Sequence, residues 1–209
     1  VGTFNPALMV HGTEGIELYD EIPPDGEIES IGEITGIWDK GKAAVAEFES
    51  TATLVATGKP LFKVKMSMFC RGAGDFGGER GPSPTFELPT RKPDHEVVYA
   101  TREDQALTYR LSGDRNPLHS DPAFAKMGGF DRPILHGLCT YGFTGRALLH
   151  TLCGSDPTRF KAMDGRFSKP VMPGDSLTIQ MWVDGKTALF VTRNQNGDIV
   201  LDQGEFKFA

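Results

Sequence analysis

The sequence has little cysteine, no long apolar run and no concentration of charge of one sign. Its three cysteines, Cys70, Cys139 and Cys153, are odd in number and irregularly spaced. That argues against a disulfide framework and fits reduced thiols in a cytosol-like compartment. No stretch approaches the ~20 apolar residues a membrane-crossing helix needs, and the sequence as it stands carries no signal-peptide, anchor or C-terminal peroxisomal address pattern. The 22 Lys and Arg are scattered among 28 Asp and Glu, a net charge of −6, so no basic stripe is available to hold nucleic acid. We therefore expect neither membrane nor nucleic-acid partners. Glycine and proline are abundant, 25 and 14 in 209 residues. They imply many turns, in a chain with enough apolar content for one large domain or two small ones.

The second half reads clearly. After a polar, Pro-containing stretch, Asn116 is placed to cap a short helical turn with Pro117 at its first position. Asp121-Pro122 repeats that arrangement for residues 123–127, closed by Gly128-Gly129. Residues 135–149 are apolar on nearly all sides and predict a buried helix, with Gly137, Gly142 and Gly145 allowing close approach. Strands follow at 176–183, 186–192 and 199–208, the last two joined by the hairpin turn Asn196-Gly197-Asp198.

The first half echoes the strand portion. Residues 18–28 resemble 167–177, with Gly26 opposite Gly174, and each segment precedes long strands, in the first half at 27–38, 42–49 and 61–69. Order and spacing agree as well as composition, which favours an internal repeat over two unrelated strand regions sharing a Pro-Gly turn. If the repeat holds, the first unit is short by about 46 residues before Leu18, so we expect the sequence, which opens at Val1, to begin partway through a unit.

Chemistry concentrates in Gly113-Asp114-Arg115-Asn116-Pro117-Leu118-His119. A carboxylate and an imidazole five residues apart, across a Pro-initiated turn, can converge on one water as a general acid/base device. Taken alone, the segment is more readily a capped turn with a core histidine. Gly137 adds weight. At the start of a buried helix its amide has no intrahelical partner and sits at the positive helix end, so it can donate to a carbonyl oxygen gaining negative charge. A water-activating pair with an oxyanion donor suits hydration of an α,β-unsaturated thioester.

Residues 109–119, then Asp121-Pro122-Ala123-Phe124-Ala125, then the run from Phe130 through Leu135-His136-Gly137-Leu138, resemble the hydratase 2 signature of the MaoC-like (R)-specific enoyl-CoA hydratases. The first half is similar to two-repeat members of that family, the hydratase 2 part of peroxisomal multifunctional enzymes and bacterial relatives, through His11-Gly12, Asp39-Lys40-Gly41 and Phe76-Gly77-Gly78. The resemblance implies an α+β double hot-dog fold, two helix-wrapped antiparallel sheets side by side: residues 1–87 a non-catalytic first repeat, incomplete at its start, 88–102 a linker, and 103–209 the catalytic repeat. It implies Asp114 and His119 as the catalytic pair, Asn116 in support and Gly137 as the polarising amide, and an acyl-CoA site lined by His11, Gly12, Lys40, Gly77, Gly78 and Phe167.

The activity so implied is reversible syn hydration of trans-2-enoyl-CoA to the (3R)-3-hydroxyacyl-CoA. No cofactor is expected beyond the CoA of the substrate, and no metal. The protein is expected to be a homodimer in the bacterial cytoplasm. A 3-hydroxyacyl-carrier-protein dehydratase and a non-catalytic acyl-CoA binding module remain the alternatives, and which of Asp114 and His119 is the base stays open. Two weaker signals are set aside. Gly72-Ala73-Gly74-Asp75-Phe76-Gly77 fits a dinucleotide fingerprint but runs into Gly81-Pro82-Ser83-Pro84 rather than a helix. His136 and Cys139 lack the second ligand pair of a zinc site.

Overall fold

The computed structural model describes residues 4–83 and 85–209. Val1 and Pro84 lie outside the described residues. Nine strands form one antiparallel sheet: β1 (Met9–Leu18), β2 (Ile28–Asp39), β3 (Ala43–Leu54), β4 (Lys59–Arg71), β5 (His95–Ala100), β6 (Phe160–Phe167), β7 (Ser176–Asp184), β8 (Thr187–Arg193) and β9 (Ile199–Phe208). Between β5 and β6 lie three helices, α1 (Gln105–Tyr109), α2 (Pro122–Met127) and α3 (Gly137–Leu152). The strand order is β2-β3-β4-β1-β6-β9-β8-β7-β5.

That order contains a repeat. Read outward from the centre, β1-β4-β3-β2 mirrors β6-β9-β8-β7, and the two halves meet where Thr13 to Glu17 pair with Arg166 to Ala162. The echoed turns occupy equivalent places, since each leads from an inner strand (β1 or β6) to the outer strand of its unit. Gly26 and Gly174 hold φ of 149° and 97° there, a region a side chain disfavours. The two expected units thus stand side by side, joined edge to edge in one continuous sheet.

The core belongs to the second unit. Ala147, Leu148 and Leu152 of α3 are buried together with Met163, Leu177, Ile179, Met181, Phe190 and Phe206 of the sheet, each large side chain contributing about 1.5–3 kcal/mol by leaving water. Thr144 donates its hydroxyl or accepts one at Thr192 (2.7 Å), and the Tyr141 hydroxyl donates to the Met163 carbonyl (2.6 Å), so the polar groups of this helix are satisfied where they are buried. Gly145 comes within close range of Met163, but an added Cβ at Gly142 would meet nothing within 4 Å, so close approach is not what that glycine provides. The three cysteines are free and buried.

The first unit departs from the expectation of a helix in each repeat: among the described residues it has no α-helix. Ile16 reaches the α3 core, while Ile34, Phe48, Val64 and Met66, which share its face by strand register, line a shallow open depression instead. Residues 88–102, expected as a linker, carry β5, which pairs with β7 along six residues and extends the second sheet. No helix among the described residues is long and apolar enough to cross a membrane.

Candidate active site

The segment 109–119 is shaped by local hydrogen bonds. A 3-10 turn at Arg110–Ser112 ends on Gly113, whose φ of 117° reverses the chain. Asp114 then accepts the Asn116 amide at 3.0 Å, and Asn116 caps the next turn by accepting the Leu118 amide at 3.0 Å, with Pro117 first in that turn. The cap reading of Asn116 is thereby met. Asp121 repeats it for α2, accepting the amides of Ala123 and Phe124. The two turns leave Asp114 exposed at the mouth and carry His119 inward.

His119 Nδ1 lies 2.8 Å from the Ile134 carbonyl. A carbonyl only accepts, so Nδ1 holds the proton and Nε2 presents a lone pair. Burial lowers the His119 pKa, the Ile134 hydrogen bond and the Asp114 charge opposing it. His136 caps α3 and is 1% exposed, with its ring stacked on His119 at 3.8 Å and tilted against Tyr109 at 4.7 Å. Its Nε2 donates to the Asp114 carbonyl at 3.3 Å, and its Nδ1 is buried without a partner. Burial first, then the neighbouring His119, push its pKa down to about 4. One ligand-type atom each from Asp114, His119 and His136 lie within 4.8 Å of one another.

Asp114 and His119 open onto a cavity of about 550 Å³ between the two units. Asp114, Asn116, His119, Gly137, His11 and Phe167, six of the residues singled out from sequence, line it together. Gly137 is the first residue of α3, and a Cβ there would press on the Phe167 ring at 3.2 Å. Gly12 acts one step back. Register shifts between His11 and Thr13, so His11 and Glu14, three apart on a strand, face the cavity together, with His11 Nε2 3.0 Å from a Glu14 carboxylate oxygen. A Cβ at Gly12 would stand 2.6 Å from Ser67 Oγ.

Lys40, Gly77 and Gly78 are not brought to this cavity. They belong to a loop cluster built on Asp39, which is 7% exposed and accepts the amides of Gly41, Asp75 and Gly77 at 2.8, 2.9 and 3.0 Å. Main-chain donors, Asp75 foremost, hold its carboxyl below the usual range. Lys40 donates to the Pro82 carbonyl, and Gly81 packs on the face of Trp38. The glycine-rich segment is thus a loop folded onto its own unit.

Sequence reasoning passed over Glu14, Arg71 and the stacking role of His136. Arg71 lines the cavity from β4, with its guanidinium 5.7 Å from the centre of the Phe130 ring. The spacing of His11 and Glu14 places them on opposite faces of a regular strand, and only the glycine between them hints at a bulge.

Residues 85–203 match the MaoC like domain, and residues 1–72 match the MFE-2 hydratase 2 N-terminal domain. The chain is 44% identical over 206 residues to a Dictyostelium discoideum protein named probable enoyl-CoA hydratase 2, covering 96% of this chain and 70% of that one. To an enoyl-CoA hydratase of Mycobacterium tuberculosis it is 46% identical over 195 residues, 92% and 68% of the two chains. Its fold superposes on the crystal structure of a MaoC-like dehydratase from Phytophthora capsici with a TM-score of 0.92 at 36% identity, covering 100% of this chain and 72% of that one.

Proposed function

The chain belongs to the MaoC-like domain family, and from that premise we propose that it is an (R)-specific 2-enoyl-CoA hydratase that adds water reversibly to trans-2-enoyl-CoA. The observation that carries this reading is the convergence of the Asp114 carboxylate and the His119 imidazole on one cavity that also holds the Gly137 amide. Polar atoms within 4.8 Å of each other can both hydrogen-bond a single water at about 2.8 Å.

In the mechanism we derive, that water sits over C3 of the enoyl group. His119 Nε2, the free lone pair of the ring, takes one proton while Asp114 holds the other hydrogen. The water O–H bond breaks, the C3–O bond forms, and electrons pass to the thioester oxygen, where the Gly137 N–H stabilises the charge. The protonated His119 then delivers its proton to C2 on the same face, giving the (3R)-3-hydroxyacyl-CoA. The two units build the pocket jointly: Met66, Met68, His11 and Arg71 of the first line it together with Asp114 and His119 of the second. His11 and Phe167, rings 4.9 Å apart, are read as a wall against the bound thioester.

The cluster of Asp114, His119 and His136 is read as acid–base and not as a metal centre. His136 Nε2 and His119 Nδ1 are both taken up as donors to main-chain carbonyls, and a nitrogen that carries its proton offers no lone pair to a cation. No cofactor beyond the CoA of the substrate is invoked. The same reading takes the enzyme to be a cytoplasmic homodimer, for which the buried thiols suit a reducing compartment. Light scattering checks the dimer.

The test is to offer the protein a trans-2-enoyl-CoA and the matching carrier-protein ester and to resolve the product by chiral chromatography. The reading predicts (3R)-3-hydroxyacyl-CoA from the CoA ester. A (3S) product, or turnover of the carrier-bound ester alone, would overturn it.

A further inference from the structure

His136 takes no part in the mechanism above, yet it touches three of its components. Its ring is the face against which His119 lies. Its Nε2–H holds the main chain of Asp114, and it immediately precedes Gly137 as the N-cap of α3. We propose that His136 is the positioning residue of this site, a neutral plate that locks His119, Asp114 and the Gly137 amide into one block. The proposal rests on the hydratase reading for the identity of the reaction, but not for the geometry.

Three observations support it. An imidazole this deeply buried is costly unless neutral and hydrogen-bonded, and burial disfavours its protonation. A neutral ring can lie face to face on His119 as that ring gains a proton, whereas a charged one would repel it. The segments 109–119 and 134–137 are joined by few polar contacts besides His136 Nε2 to Asp114 and His119 Nδ1 to Ile134. Losing the first frees the Asp114 loop relative to the helix start. A displacement of about 1 Å at such a site costs on the order of 100-fold in rate. The titratable groups facing His136 are Tyr109, Arg110, Asp114 and His119, and none is a strong enough partner to hold it charged.

The experiment uses His136→Phe, which keeps the stacked plate but loses the Nε2 donor, and His136→Gln, which keeps a donor at that place but loses the plate. Both are compared with wild type for kcat, KM, thermal unfolding and the titration of His119 followed by NMR. The expected result is a fall in kcat of about tenfold to a hundredfold in each variant with KM within about threefold. In His136→Gln, where water reaches the ring, the His119 midpoint should also rise towards its ordinary value, while in His136→Phe it should not. The NMR titration does not depend on which reaction is catalysed, so failure of the hydratase reading and failure of this one are distinguishable. Wild-type kcat in a folded His136→Phe, an unmoved His119 midpoint in His136→Gln, or loss of folding in both variants would overturn the proposal, the last by making the role purely structural.

Discussion

In the second unit the sheet is covered by α3 and Leu177, Ile179 and Phe190 are fully buried, whereas in the first unit Ile28 and Ile34 stand 49% and 48% exposed on the same strand order. The second unit also holds Asp114 and His119, the capped turns that carry them and the start of α3 beside them. The first contributes a bulged strand, three methionines and an arginine to the cavity lining. A four-stranded frame therefore does not by itself make a site. What makes one is the stretch from β5 to β6, and only the second unit has it among the described residues.

That division of labour can be broken or sharpened by substitution. The largest effect is expected in the second unit: Asp114→Asn should lower kcat by roughly 10²–10⁴-fold, since a carboxylate holding the reacting water is lost, with KM little changed in steady-state hydration assays. Gly137→Ala comes next. Its methyl would meet Phe167 at 3.2 Å, shifting either the ring or the amide, and kcat should fall roughly tenfold to a hundredfold. In the first unit, Glu14→Gln releases the 3.0 Å pair with His11 and should raise KM about fivefold, some 1 kcal/mol, with kcat nearly intact. A large kcat loss there would dissolve the contrast between catalytic and wall-forming units. Lys40→Ala should change kcat and KM by less than about twofold, because its ammonium is exposed and bonded to Pro82 outside the cavity.

Acidity gives a further test within the second unit. His119 must be neutral to accept a proton, and burial lowers its pKa below the ordinary 6.5, so the rising limb of kcat against pH should lie below pH 6.5. His136 has a depressed pKa as well, about 4 in the folded protein against 6.5 when unfolded. Its contribution to stability is therefore full above pH 6.5 and is lost as pH falls from there towards 4. Urea titrations across that window should show declining stability in wild type and a flatter decline in His136→Phe.

Much of this could be read in the sequence, because it is local. The caps at Asn116 and Asp121, the span of β9 and the two glycine turns follow from residue type and period alone. The strands β1 and β6 were hidden because Gly12, Gly15 and Asp164-Gly165 interrupt their alternation. The short strand β5 lay inside a stretch that reads as linker, since its pairing with β7 comes from more than 70 residues away. The stack of His136 on His119 and the capture of the Gly77 amide by Asp39 are likewise contacts between distant segments, which neither spacing nor composition records. The motif named the pair, and tertiary structure alone revealed what holds it.

The central claim is that Asp114 and His119 of the second unit hydrate an enoyl thioester. It is tested most directly by coupling trans-2-enoyl-CoA hydration to an (R)-specific 3-hydroxyacyl-CoA dehydrogenase, with wild type and Asp114→Asn measured side by side. The account predicts steady nicotinamide reduction with wild type and its near-complete loss in a folded Asp114→Asn. An inactive wild type, or an undiminished Asp114→Asn, would contradict it.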